Sequence, residues 1–151
     1  MKVLVIPIKP VFAYRIFTGK KRYDLRKLVR RVDIRVGSRV VVYVSGRVKA
    51  FMGEYTVGRV VQGPPDYIIK VLSEDPDAGV GEEDFSYIRG AKQAVAMEVV
   101  NPIVYKKPVE LKPVLHLFPD YQPPLGIQEL DAHEPVVVLV FDRARRMSLG
   151  S

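Results

Sequence analysis

Lys21, Asp24 and Arg26 fall in one octapeptide, Gly19-Lys20-Lys21-Arg22-Tyr23-Asp24-Leu25-Arg26, which reads G-x-K-x-x-D-x-R. A lysine amine can hold a phosphate as a point charge or, once deprotonated, serve as base or nucleophile. An arginine fork can meet a phosphate or a base edge, and an aspartate two residues away can hold that fork rigid. The same residues also have structural roles open to them: Lys21 complementing a helix dipole, and Asp24 pairing with Arg22 and Arg26. Glu54 is the one acid between Asp33 and Asp66, so it is either a salt-bridge partner or a site carboxylate. The candidate catalytic groups are therefore Lys21, Asp24 and Glu54. Tyr43, Tyr55, Tyr87 and Tyr121 could stack on bases, as aromatic rings do with single-stranded RNA. Tyr121-Gln122-Pro123-Pro124 is a proline-stiffened loop whose amide can edge a cleft. The candidate ligand-binding set is Gly19, Lys20, Lys21, Asp24, Arg26, Tyr55, Tyr121 and Gln122.

Positioning these residues requires particular elements. Lys2 to Ile8 reads as a strand. Pro10 suits the first turn of a helix over 11–18, with Phe12/Ile16 and Ala13/Phe17 at i,i+4. Gly19 then fits the left-handed position that ends a helix. If Lys21 to Lys27 runs extended, Asp24 and Arg26 share one face and Lys21 takes the other. All three serve one site only if the chain turns between Lys21 and Asp24. Arg39 to Val44 has the pattern of a strand buried on both faces. Lys49 to Val61 is the next strand, and Gly53 and Gly58 within it suggest bulges or close backbone approach. Short helices follow Asp66 and Glu82. Lys92 to Val100 reads as a strand stopped by Asn101-Pro102, and Pro135 to Phe141 as a closing apolar strand. The expected fold is α+β, strands curling into a small barrel with short helices around it.

The 151 residues suit one domain, expected over 1–142, with 143–151 as a flexible basic tail. The charge is unevenly placed. Residues 1–50 hold fourteen Lys/Arg against Asp24 and Asp33, a net +12, while residues 51–151 hold ten basic and fifteen acidic groups, a net −5. A field of that sign attracts phosphate backbones. The absence of cysteine excludes disulfides, thiolate metal sites and cysteine nucleophiles, and permits the cytosol. Abundant proline, valine and charge are compatible with a thermophilic source. Pro7 and Lys9 interrupt the apolar start, so a strand is expected there rather than a signal peptide, and no stretch is long enough for a membrane helix. Gly79-Val80-Gly81 precedes Glu82-Glu83-Asp84, which would repel phosphate, so it is not a phosphate loop. His116 and His133 lack ligand spacing for zinc. No metal or cofactor is expected.

A helix, then Gly19, Lys21, Asp24 and Arg26, then a basic connection and the Val-rich stretch 36–44, together resemble the ASCH domain of the PUA-like superfamily. The likeness continues through Gly53-Glu54-Tyr55-Thr56-Val57-Gly58, and thereafter rests on element order. The chain is similar to small archaeal proteins with a PUA-like fold. Asp24 departs from the glutamate usual at that position. The resemblance implies a small closed β-barrel with a cleft beside the first helix, and binding of RNA or a nucleotide-like ligand. It also implies an alternative, an amidohydrolase acting on acylated cytidine or a related nucleoside, with Lys21 at the lysine position and Glu54 as the candidate glutamate. A protein-interaction scaffold is the third reading.

Overall fold

Burial with period two in the first strand decides how the chain is layered. In β1 (Lys2–Ile8), Val3 and Val5 point to one side and Leu4, Ile6 and Ile8 to the other, and all five are buried. A strand buried on both faces needs a covering layer on each. The computed structural model describes the backbone of residues 1–149 and the side chains of residues 1–145. After β1 come α1 (Pro10–Phe17), β2 (Tyr23–Leu28), β3 (Arg39–Val44), β4 (Ala50–Gly63), α2 (Pro65–Ser73) and α3 (Glu82–Ile88). The chain continues with β5 (Gln93–Glu110), α4 (Leu111–Leu117), β6 (Gln128–Asp131) and α5 (Pro135–Leu149).

The six strands form one sheet in the order β2-β5-β4-β3-β1-β6, parallel only between β1 and β3. The expected α+β barrel takes the form of a sheet curled into a half-barrel. Its concave side is filled by Leu4, Ile6, Val40, Val42, Tyr55, Val95 and Met97, with Ala13 and Ile16 of α1 packed against them. One outer region packs Val3, Val5, Val41 and Phe51 against α4 and α5. A second packs Tyr23, Leu25, Ala94 and Ala96 against α2 and α3. No helix among the described residues is long and apolar enough to cross a membrane.

The glycines of β4 lie where the sheet bends. Register shifts fall between Phe51 and Gly53 and between Val57 and Val60. A Cβ on Gly53 would collide with the Ile103 carbonyl oxygen and the Phe17 ring, and one on Gly58 with the Glu98 carboxylate.

Two sequence expectations need correction. β5 does not stop at Asn101-Pro102 but runs on to Glu110. Thr56 pairs with Val100 and Glu54 with Ile103, so Asn101 and Pro102 together oppose Tyr55 alone, and Asn101 adopts φ 49°. The bulge places both residues on the surface, where proline's missing N–H costs the ladder nothing. The second correction concerns Pro135 to Phe141, which is helix and not strand. Pro135 occupies the first helical turn, and Val136, Val137, Val140 and Ala144 are buried while Val138 is half exposed. That spacing is helical, and burial of the stripe outweighs the strand preference of three successive valines. The boundary expected at 142 falls inside this helix. Residues 143–149 extend it, and 150–151 lie outside the described residues.

Candidate functional site

The end of α1 sets Lys21. Gly19 takes φ 78° and breaks the helix, and the Lys21 amide then donates to the Arg15 carbonyl oxygen at 3.1 Å. An unsatisfied carbonyl of the last turn thus fixes the motif lysine's own backbone. From the other side, the Arg22 amide donates to the Ala78 carbonyl oxygen at 3.0 Å. Gly79 lies so close that a Cβ on it would strike the Lys20 carbonyl oxygen. The Lys21 side chain is nearly buried. Its Nζ is 2.6 Å from Asp84 Oδ1 in α3 and 5.1 Å from the Phe12 ring centroid.

Strand alternation sets Asp24 and Arg26. Tyr23 and Leu25 are buried outward against α2 and α3, so Asp24 and Arg26 turn to the concave side. Asp24 Oδ1 accepts from Arg26 Nε at 3.0 Å, and Oδ2 accepts from the Tyr55 hydroxyl at 3.0 Å. Arg26 Nη1 donates to the Pro7 carbonyl oxygen at 2.6 Å. β6 pairs with β1 only over Lys2 to Val5. Pro7 therefore lies beyond the end of β6, and Arg26 spans the seam between the sheet's β2 edge and β1. Burial is the largest influence on the Arg26 pKa and would lower it, but the Asp24 carboxylate together with Tyr55 and Tyr87 outweighs it and the net shift is upward. Burial, reinforced by Asp24, pushes the Tyr55 hydroxyl well above its ordinary value. Both groups thus keep their protons: a fixed cation and a fixed neutral donor converge on one carboxylate.

A cavity of about 310 Å³ opens at this seam, at the small end of the range for ligand pockets. Lys21, Asp24, Arg26 and Lys27 form one wall, and Asp84 and Tyr87 of α3 another. Pro7, Ile8 and Lys9 at the end of β1, Phe12 of α1, Leu25, Ser45, the exposed Glu83, and the loop residues Leu125, Gly126 and Ile127 complete it.

No protein-family model matches the sequence, and no curated protein does. Solved structures match along nearly the whole chain. The ASCH protein from Zymomonas mobilis is 25% identical, with 90% of this chain and 92% of that one covered and a TM-score of 0.68. A variant of it with phenylalanine in place of tyrosine matches with a TM-score of 0.72 at 23% identity, covering 95% and 98%. The chain has the ASCH-domain fold. The N-terminal domain of McrB from Staphylothermus marinus is also similar, at 13% identity, 93% of each chain and a TM-score of 0.56.

Within this ASCH fold the candidate residues separate into groups. Lys21, Asp24 and Arg26 meet in the cavity wall. The turn this requires is present, because β2 begins only at Tyr23. Tyr55 is buried behind them and steadies Asp24, so its ring is not a stacking surface. Gly19 and Lys20 are exposed beside the site, with Lys20 Nζ 5.2 Å from the Tyr14 ring centroid. Tyr121 and Gln122 stand apart from it. Tyr121 packs on Phe51 and donates to Gln128 Oε1 at 2.8 Å, and the Gln122 carbonyl oxygen accepts from Gln128 Nε2. Glu54 is not brought to the cavity. It alternates with Tyr55 and so faces outward, where it accepts from Arg39 at 2.6 and 2.9 Å and from the Tyr105 hydroxyl at 3.0 Å. The Arg39 guanidinium lies over the Phe141 ring of α5 at 3.8 Å. Glu54 has the structural partner that its isolation among basic residues permits.

Sequence reasoning missed Asp84. The run Glu82-Glu83-Asp84 reads only as a phosphate-repelling acidic start to a short helix. Asp84 takes the third position of that helix, its Oδ2 accepting from the Gly81 amide at 3.0 Å, and its contact with Lys21 is what the sequence did not show. One signal pointed to it: a nearly buried lysine needs a carboxylate, and the acids of this chain are concentrated after residue 50.

Proposed function

We propose that the chain binds RNA or a nucleotide-like ligand through the basic face around this cavity. One observation carries the reading: the most basic third of the chain folds so that Lys21, Asp24 and Arg26 line one hollow, with Lys9 and Lys27 exposed at its mouth. Lys20 and Arg22 are exposed next to it in sequence. These cations suit the phosphodiester backbone, and the Phe12 and Tyr87 rings in the wall suit a base. The ASCH and McrB structures support a nucleic-acid-binding module in general. Fluorescence anisotropy with a short single-stranded RNA tests it. Neutralising about four phosphates gives a log–log salt slope near −2.8, roughly a fifty-fold loss of affinity over a fourfold rise in salt. The double variant Lys9→Ala/Lys27→Ala should flatten that slope by about 1.4. Affinity that barely responds to salt, or no affinity at all, removes the reading.

The Lys21–Asp84 pair favours a second reading, a small amidohydrolase acting on an acylated nucleoside. Water would add to the acyl carbon, the C–N bond would break, and a proton would pass to the leaving amine, releasing a carboxylic acid and the free nucleoside. Lys21 and Asp84 would carry that proton. Incubation with acylated cytidine, followed by chromatography, decides: product release that disappears in Lys21→Ala supports the enzyme, and no release rules it out.

A further inference from the structure

We infer that Asp84 makes the cavity interior an anion-excluding compartment, which admits an uncharged polar group while any phosphate on the same ligand stays at the mouth. This deepens the RNA-binding reading and rests on it for the role of the mouth. Four nearly buried charged side chains line the interior, Lys21 and Arg26 against Asp24 and Asp84, and they cancel. Both cations are already matched to carboxylates, at 2.6 Å for Lys21 and 3.0 Å for Arg26. A phosphate reaching for Lys21 would stand beside the Asp84 carboxylate, and like charges at that range repel strongly in a site with little water. It would otherwise have to break an ion pair whose partners are about nine-tenths buried, leaving Asp84 without its cation.

An uncharged group meets neither obstacle. The Lys21 ammonium carries three donors, of which Asp84 Oδ1 takes one, and the Asp84 carboxylate retains acceptor capacity after the Gly81 amide. Lys21 and Asp84 thus offer a donor beside an acceptor, with the rings of Phe12 and Tyr87 lining the same cavity. The matching ligand is an uncharged planar group whose own acceptor sits next to a donor. Outside, exposed Lys9 and Lys27 supply the positive field that the interior lacks, since the exposed Glu83 carboxylate is matched by Arg15 at 3.0 Å.

The test is a titration of the full chain with inorganic phosphate, run beside the RNA anisotropy measurement. In the wild-type protein, lysine side-chain NMR signals of Lys9 and Lys27 should respond to phosphate and that of Lys21 should not. Asp84→Asn removes one charge and keeps an acceptor for the Gly81 amide. It should bind phosphate about tenfold more tightly than wild type, and a Lys21→Gln/Asp84→Asn double variant should lose the gain. A Lys21 signal that moves with phosphate in the wild-type protein overturns the inference, without dependence on any variant folding. So does equal phosphate affinity in wild type and Asp84→Asn. RNA binding alongside either of those results leaves the RNA reading standing alone. A phosphate gain in Asp84→Asn without RNA binding leaves the interior as described and removes the RNA reading.

Discussion

Asp24→Ala is expected to lower the unfolding free energy by about 3–5 kcal/mol, the cost of leaving a buried charge without its partner. For a chain of this size that is a fall in melting temperature of about 10 °C. Asp24 is where three strands meet. Its carboxylate takes Arg26 Nε from β2 and the Tyr55 hydroxyl from β4, and the same guanidinium reaches the Pro7 carbonyl oxygen in β1. Side-chain exposure of 3% for Asp24 and 12% for Arg26 leaves little water to replace the lost contacts. Alanine would strand a cation and a hydroxyl at the seam of the half-barrel, where no backbone ladder compensates. Total stability of about 5–15 kcal/mol makes this a large fraction.

Three further variants separate the causes in urea unfolding. Tyr55→Phe removes one neutral donor to a charged acceptor and should cost about 1.5–3 kcal/mol. Asp24→Asn keeps an acceptor but loses the charge, and should fall between Tyr55→Phe and Asp24→Ala. The pair Asp24→Leu/Arg26→Met removes both ions and should recover much of the loss, because a buried ion pair and an apolar pair of similar volume are often close in stability. An Asp24→Ala cost below about 1 kcal/mol, the range of an exposed pair, would show that the carboxylate does not pin the seam.

The convergence of Lys21, Asp24 and Arg26 was legible because it depends on local rules. A glycine ends the helix, and alternation of Tyr23 and Leu25 with Asp24 and Arg26 separates apolar from charged faces. The strands from β1 to β4 were legible for the same reason, and the glycines of β4 marked its bends. What could not be read depends on contacts distant in sequence. Asp84 is 63 positions from Lys21, and nothing local distinguishes it from Glu82 or Glu83 until α3 docks through Phe85 and Ile88. The valines of α5 prefer strand locally, and only the apolar surface of the sheet makes helix the better arrangement for them. Tyr121 and Gln122 have the chemistry of a reading loop, yet Phe51 and Gln128 engage them, and the neighbouring stretch 125–127 reaches the cavity instead.

Gly79→Ala should disable the site with a loss of stability of about 3 kcal/mol, combining left-handed backbone strain with overpacking. Gly79 has φ 70°, and a Cβ there would collide with the Lys20 carbonyl oxygen and stand 3.0 Å from Lys21 Cα. Backbone atoms cannot rotate aside as a side-chain end can, so the segment 20–21 must move. The Lys21 amide is tied to Arg15 and its amine to Asp84, and the displacement therefore falls on the two contacts that aim the lysine into the cavity. Gly81→Ala is the matched control: nothing lies within 4 Å of its Cβ, and its φ of −147° suits alanine. It should cost no more than about 1 kcal/mol, as an alanine at a helix N-cap does, with ligand binding unchanged. Anisotropy and melting curves on both variants distinguish the outcomes. If Gly79→Ala melts and binds as the Gly81→Ala control does, the loop 74–81 is not what holds Lys21. If it loses binding while most of the protein remains folded at the assay temperature, the contact between Gly79 and Lys20 is the support on which the lysine's placement depends.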